Sequence, residues 1–144
     1  IITCSLAKVD AVENGYDDAI MLGDNDVVAE GSGQNLFLIK NGKIYTPPIE
    51  TGALGGITRK TVIEIANNLG LETEETNINA DQLKDADELF FTGTATEVVG
   101  VVSVDGEDIT DGKPGEITGN IRQKYLEIVN GENEDFLHYL TLVK

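Results

Sequence analysis

Thr51-Gly52-Ala53-Leu54-Gly55-Gly56-Ile57-Thr58-Arg59-Lys60 is a glycine-rich turn that runs straight into an apolar-periodic helix. Gly55 and Gly56 let the backbone approach a ligand, and the first helical N–H groups, around Ile57 and Thr58, point outward at the positive end of the helix dipole. Thr58 adds a hydroxyl where helix starts favour one. The junction is either an anion site or an ordinary capped helix, and a two-glycine turn alone does not separate them.

Downstream, Val62, Ile65, Ala66 and Leu69 recur at helical spacing, with Ile63 widening the stripe and Gly70 placed as a C-cap, so a helix is predicted from Thr58 to Leu69. Leu71 to Ile78 is compatible with a strand whose Glu72, Glu74 and Glu75 imply a wet face, and Asp81 to Ala86 with a helical turn or two. Glu88-Leu89-Phe90-Phe91-Thr92 reads as a buried strand that delivers the chain into Gly93-Thr94-Ala95-Thr96. This second small-residue turn offers hydroxyls and approachable backbone, although threonines are also ordinary strand formers. Two such turns at the ends of core elements suit a small anionic ligand at the rim of a sheet. Val98 to Val104 continues as a strand, Asp105-Gly106 as a tight turn with Glu107 to Ile109 as its partner, and Asp111 to Gly115 as a loop. A helix through Ile117, Ile121, Tyr125, Ile128 and Val129 ends at Gly131, and Asp135 to Val143 can add another.

Upstream, Ile1 to Asn14 has a helical rhythm with Gly15 as its stop. Asp17 to Leu22 and Val27 to Glu30 form a hairpin about Gly23-Asp24-Asn25-Asp26, and Leu36 to Ile39 pairs with Ile44 to Thr46 across Asn41-Gly42 before Pro47-Pro48 ends the second strand. Glu30 falls at a strand end beside backbone loosened by Gly31 and Gly33, where its carboxylate is either a solvated loop charge or a placed acceptor.

The chain of 144 residues fits one domain, and no repeat is visible. A net charge of -16, from 26 acidic and 10 basic residues, argues against nucleic acid and anionic membrane surfaces as partners. The lone Cys4 excludes an internal disulfide framework and points to a reducing, cytoplasmic setting. No stretch approaches the ~20 apolar residues of a membrane span. The single histidine, His138, has no metal-ligating company and is placed on a surface.

Gly15-Tyr16-Asp17-Asp18-Ala19-Ile20, Glu30-Gly31-Ser32-Gly33-Gln34-Asn35-Leu36-Phe37, Tyr45-Thr46-Pro47-Pro48, Gly56-Ile57-Thr58-Arg59, Phe91-Thr92-Gly93-Thr94-Ala95 and Asp111-Gly112-Lys113-Pro114-Gly115 occur in the order and at the spacings of one family. Together they resemble the C-terminal domain of branched-chain amino acid aminotransferases, pyridoxal-phosphate enzymes of fold type IV. The resemblance spans essentially the whole chain. It implies an α/β (α+β) domain, a mixed sheet or pseudo-barrel with surrounding helices, over residues 1–144. It further implies a cofactor, pyridoxal 5'-phosphate, and transfer of the amino group of leucine, isoleucine or valine to 2-oxoglutarate in a homo-oligomeric intact enzyme.

By the same resemblance, Glu30 matches the acid that keeps the pyridine nitrogen protonated, Ile57 and Thr58 the phosphate-binding helix start, and Thr94 a second phosphate contact. Leu54 matches a residue packed on the cofactor ring. Ala95, with the Thr94 backbone, matches the turn that receives the substrate carboxylate. Gly55 stands where many relatives have proline, and Gln34 where many have glutamate; no role is carried over for Arg59. The family's Schiff-base lysine lies upstream of this chain, and Lys8 is out of register for it. The chain is therefore expected to be a fragment, inactive alone, that lacks an N-terminal domain. D-amino acid aminotransferases and aminodeoxychorismate lyases share Glu30 and the phosphate turns, whereas the Asp111–Gly115 block and the Glu30-Gly31-Ser32-Gly33 form lean toward the branched-chain group. A non-catalytic binding or oligomerisation module on the same scaffold is the reading from another class.

Overall fold

The computed structural model describes residues 2–141. Helix α1 (Ile2–Glu13) stops where expected: Gly15 takes φ +86° and Tyr16 N–H donates back to the Ala11 carbonyl at 2.9 Å, a glycine-dependent C-terminal closure. No side chain of α1 is buried, and Ile2, Leu6, Val9 and Val12 are all exposed. Strands β1 (Ile20–Leu22) and β2 (Val28–Gly31) form the expected antiparallel hairpin. β3 (Asn35–Lys40) and β4 (Lys43–Thr46) form the next one, in which Asn41 and Gly42 both have positive φ, as a tight hairpin turn requires. After α2 (Ile57–Asn68), β5 (Thr73–Glu75) pairs parallel with β4, and the short α3 (Ala80–Lys84) follows. β6 (Glu88–Gly93) and β7 (Glu97–Val101) are antiparallel neighbours, β8 (Ser103–Val104) and β9 (Glu107–Asp108) make a small hairpin, and α4 (Glu116–Val129) precedes a 3-10 stretch at Glu134–Tyr139.

The main sheet runs β5-β4-β3-β6-β7, mixed as expected, with β3 and β6 at its centre. Both central strands are apolar on both faces because both faces are covered. Phe37, Ile39 and Phe90 point toward α2 and α4, meeting Val62, Ile65, Ile121, Tyr125 and Ile128. Leu36, Leu38, Leu89 and Phe91 point the other way, toward Val28, Ile78, Leu83 and Ile109. The β3–β6 register sets Phe37 directly opposite Phe90, which stacks the two rings 4.9 Å apart at an interplanar angle of 1°.

Several elements are shorter than the sequence suggests. Only Thr73–Glu75 of the 71–78 stretch is strand, since its acidic side chains stay at the wet sheet edge while Ile78 turns into the second core. The 98–104 strand breaks at Val102, whose carbonyl accepts the Ile109 N–H at 2.8 Å and so redirects the chain into the β8–β9 hairpin. The expected C-terminal helix is a 3-10 stretch from Glu134 to Tyr139, and the expectation beyond residue 141 lies outside the described residues. Within the described residues, no helix is long and apolar enough to cross a membrane.

Candidate functional site

Asn35 begins β3 opposite Thr92 near the end of β6, so the segments that enter β3 and leave β6 sit at one end of the sheet. The Leu54 turn is fastened to this end from two sides. Leu54 N–H donates to the Glu30 carboxylate (Oε2) at 2.9 Å, and Asn35 Nδ2 donates to the Leu54 carbonyl at 2.7 Å. That carbonyl also accepts the Gly56 N–H at 2.8 Å, which folds the chain tightly into α2. A Cβ at Gly56 would lie 2.8 Å from Asn35 Oδ1, so any other residue there would have to displace Asn35.

Gly56 is the N-cap of α2 and makes no side-chain hydrogen bond, so no side chain of the cap satisfies the first N–H groups. Here the sequence reading is corrected in one respect: Thr58 lies inside the first turn and is buried, and is not the cap. Leu54 and Ile57 are 71% and 75% exposed beside this helix start. An uncapped helix start, a glycine whose replacement would displace Asn35 and exposed apolar residues together make a cradle suited to an anion carried on an apolar group. The buried Thr92 hydroxyl has no partner at the same end of the sheet.

Thr94 and Ala95 are exposed on the turn between β6 and β7. They reach the same end through the β3–β6 ladder. Gly93 faces the Gly33 carbonyl, 3.6 Å from where its Cβ would be. Glu97, which begins β7, has φ 59°, a left-handed conformation that sharpens the turn. The structure thus gathers Glu30, Leu54, Ile57, Thr58, Thr94 and Ala95 at one end of the sheet, and brings Glu30 and Leu54 into direct contact.

Two residues with no role in the sequence reading shape this end. Asn35 is one. The other is Asp18, whose Oδ1 accepts Ala19 N–H and Ser32 Oγ–H, and whose Oδ2 accepts Gln34 Nε2 and, at 2.9 Å, Lys8 Nζ. Burial alone would push the Asp18 carboxyl up, but the hydrogen bonds from Ser32, Lys8 and Ala19 prevail and hold it below the usual carboxylate value. Lys8 also donates to the Asp17 carbonyl. Arg59 is occupied structurally: its guanidinium is buried and donates to the Pro47 carbonyl at 3.0 Å and to Glu75 at 2.7 Å, bracing α2 against the sheet edge. His138 is exposed, 3.8 Å from Glu64, beside the Tyr139 ring.

The family model for amino-transferase class IV matches residues 2–104. A branched-chain-amino-acid aminotransferase of Pseudomonas aeruginosa is 43% identical over 143 residues, covering 99% of this chain and 46% of the relative. That of Escherichia coli K12 is 41% identical over 130 residues, covering 90% and 42%. The chain spans about half the length of the curated relatives it matches. Among solved structures, a T.th. branched-chain amino acid aminotransferase complexed with N-(5'-phosphopyridoxyl)-L-glutamate superposes with a TM-score of 0.96 at 42% identity, over 99% of this chain and 47% of that one. The same enzyme with pyridoxamine 5'-phosphate gives 0.96, again at 42% identity and over 99% and 47% of the two chains. A matched family model, relatives above two-fifths identity and a shared fold leave one assignment: the chain belongs to the class IV aminotransferase family.

Proposed function

We propose that this chain is a cofactor-binding part of a pyridoxal-phosphate-dependent branched-chain aminotransferase. The observation that carries the proposal is the Leu54 peptide gripped between Glu30 and Asn35, which sets an acid and an uncapped helix start side by side. The residues present suit the cofactor: the helix start accepts a phosphate, Gly56 lets the chain enter it against Asn35, and Glu30 supplies a carboxylate at a fixed offset.

The bound cofactor supplies a pyridine ring that draws electron density from the substrate carbon. Glu30 holds a proton on the ring nitrogen, with one carboxylate oxygen fixed by Leu54 N–H and the second left to meet the ring. The N–H groups of Ile57 and Thr58 bind the phosphate with the α2 dipole behind them, and the Thr94 hydroxyl makes a second phosphate contact. Leu54 packs on the ring and shields it from water. Backbone N–H groups at Thr94 and Ala95 orient the substrate carboxylate. The lysine that joins the cofactor lies outside this chain, and Lys8 is engaged with Asp17 and Asp18. The remainder of the longer polypeptide packs on the exposed apolar side chains of α1, and the intact enzyme is a homo-oligomer.

The test is an assay of the full-length protein with L-leucine, L-isoleucine or L-valine and 2-oxoglutarate, run beside D-alanine and aminodeoxychorismate. Turnover of the branched-chain L-amino acids is expected; turnover of either competitor alone overturns the reading. Glu30→Gln is expected to lower kcat/KM by about 10- to 100-fold, the loss of one hydrogen bond between charged groups.

A further inference from the structure

The turn between β2 and β3 joins the two side chains that hold Leu54. Glu30 precedes it and Asn35 follows it, and Gly31 N–H closes it onto the Gln34 carbonyl at 2.7 Å. Its floor is set by Phe91: a Cβ at Gly31 would lie 2.8 Å from Phe91 Cε1, so the backbone rests directly on the ring. Packing on a flat ring fixes height, whereas sideways position needs a directional contact.

Asp18 supplies that contact. Its carboxylate is held by four donors from three places in the chain: Lys8 on α1, Ala19 beside it, and Ser32 and Gln34 on the turn. The side chain is only 14% exposed, so these bonds do not compete freely with water. Ser32 and Gln34 bind different oxygens, and a two-point grip on one carboxylate defines orientation as well as distance. A neutral amide at 34 is the group that can donate to this anion; a carboxylate there would face a like charge.

We propose that Asp18 is a positioning residue: by gripping Ser32 and Gln34 it sets the turn, and through the turn Glu30 and Asn35, so that the Leu54 peptide keeps its place relative to α1. The grip on Leu54 is a property of the fold; its consequence for cofactor binding rests on the function proposed above. The two are separable by experiment.

In the full-length protein free of cofactor, the Leu54 amide is followed by hydrogen exchange in a peptide spanning residues 52–57, with peptides from β3 and β6 as internal reference. Asp18→Ala is expected to speed Leu54 exchange while leaving the β3 and β6 peptides unchanged, and Asp18→Glu to restore most of the protection. Binding of pyridoxal 5'-phosphate, read by its visible absorbance, is expected to weaken about tenfold in Asp18→Ala, since displacing Glu30 and Leu54 costs the equivalent of about one hydrogen bond at the cofactor. If Asp18→Ala does not fold, Ser32→Ala is expected to give the same pattern at smaller amplitude, and Gln34→Glu a larger one. Uniform acceleration of all peptides, or unchanged Leu54 exchange in a folded variant, overturns the proposal; so does faster Leu54 exchange with unaltered cofactor affinity. If the wild type binds no pyridoxal phosphate, the proposed function fails while the exchange experiment still judges Asp18.

Discussion

At the scale of single residues, Gly56 and Asp18 show opposite kinds of dependence. Gly56 is required for what it lacks, since a methyl group there meets Asn35 Oδ1 at 2.8 Å. Gly56→Ala is therefore expected to displace Asn35, loosen the Leu54 turn and weaken pyridoxal phosphate binding by at least about tenfold, with a stability loss of about 1–2 kcal/mol from the broken hydrogen bond, read by absorbance titration and denaturant unfolding. Asp18 is required for what it accepts. Its folded-state carboxyl titrates below the ordinary value of 3.8, so the stability it contributes is fully present above about pH 4 and is lost as pH falls through the lowered value. The difference in unfolding free energy between wild type and Asp18→Asn is expected to shrink on acidification below pH 4, and a constant difference would contradict the assignment. The glycine turn was visible in the sequence, but the doublet alone did not separate an anion site from an ordinary capped helix; the resemblance of the surrounding blocks was needed for that. The role of Asp18 was not visible, because its partners Lys8, Ser32 and Gln34 lie 10 to 16 residues away and only the fold brings them together.

At the scale of elements, α4 illustrates how one strand residue places a helix. Glu88, the first residue of β6, accepts Ile117 N–H at 3.0 Å, Thr118 N–H at 2.8 Å and the Thr118 hydroxyl at 2.6 Å, capping α4 from outside its own segment. Gly115 stands where a Cβ would collide with this carboxylate. Glu88→Ala is expected to cost about 1–2 kcal/mol, as a lost N-cap does, and Gly115→Ala a similar amount. The double variant is expected to cost less than the sum, because the added methyl no longer has a carboxylate to displace. Additive losses in thermal unfolding would show that the two positions act separately. Hairpin turns were readable from local chemistry: Asn41-Gly42 and Asp105-Gly106 adopt the paired positive φ values their residues favour. The start of α3 had a readable signal too, Asn79 and Gln82 forming a capping box that places it at Ala80. The break at Val102 had none, since it depends on the Ile109 N–H returning across the loop.

At the scale of the whole molecule, charge and apolar surface are the dominant facts. A net charge of -16 on 144 residues makes the folded state repel itself, and the ion pairs at the surface are individually weak. Raising KCl from about 0.1 M to about 1 M is expected to raise the unfolding temperature of the full-length protein by screening this repulsion. A fall in that temperature would mean that specific ion pairs dominate instead. The double-faced core around β3 and β6 explains why the fold class was clear from the sequence, whereas α1 buries no side chain and stands apart from both cores. The most direct test of the account is a crystal structure of the full-length protein with pyridoxal 5'-phosphate. The expected result places the phosphate on the amides of Ile57 and Thr58 and the ring nitrogen against the Glu30 carboxylate; a cofactor bound elsewhere, or a Glu30 carboxylate turned away from the ring, would contradict it.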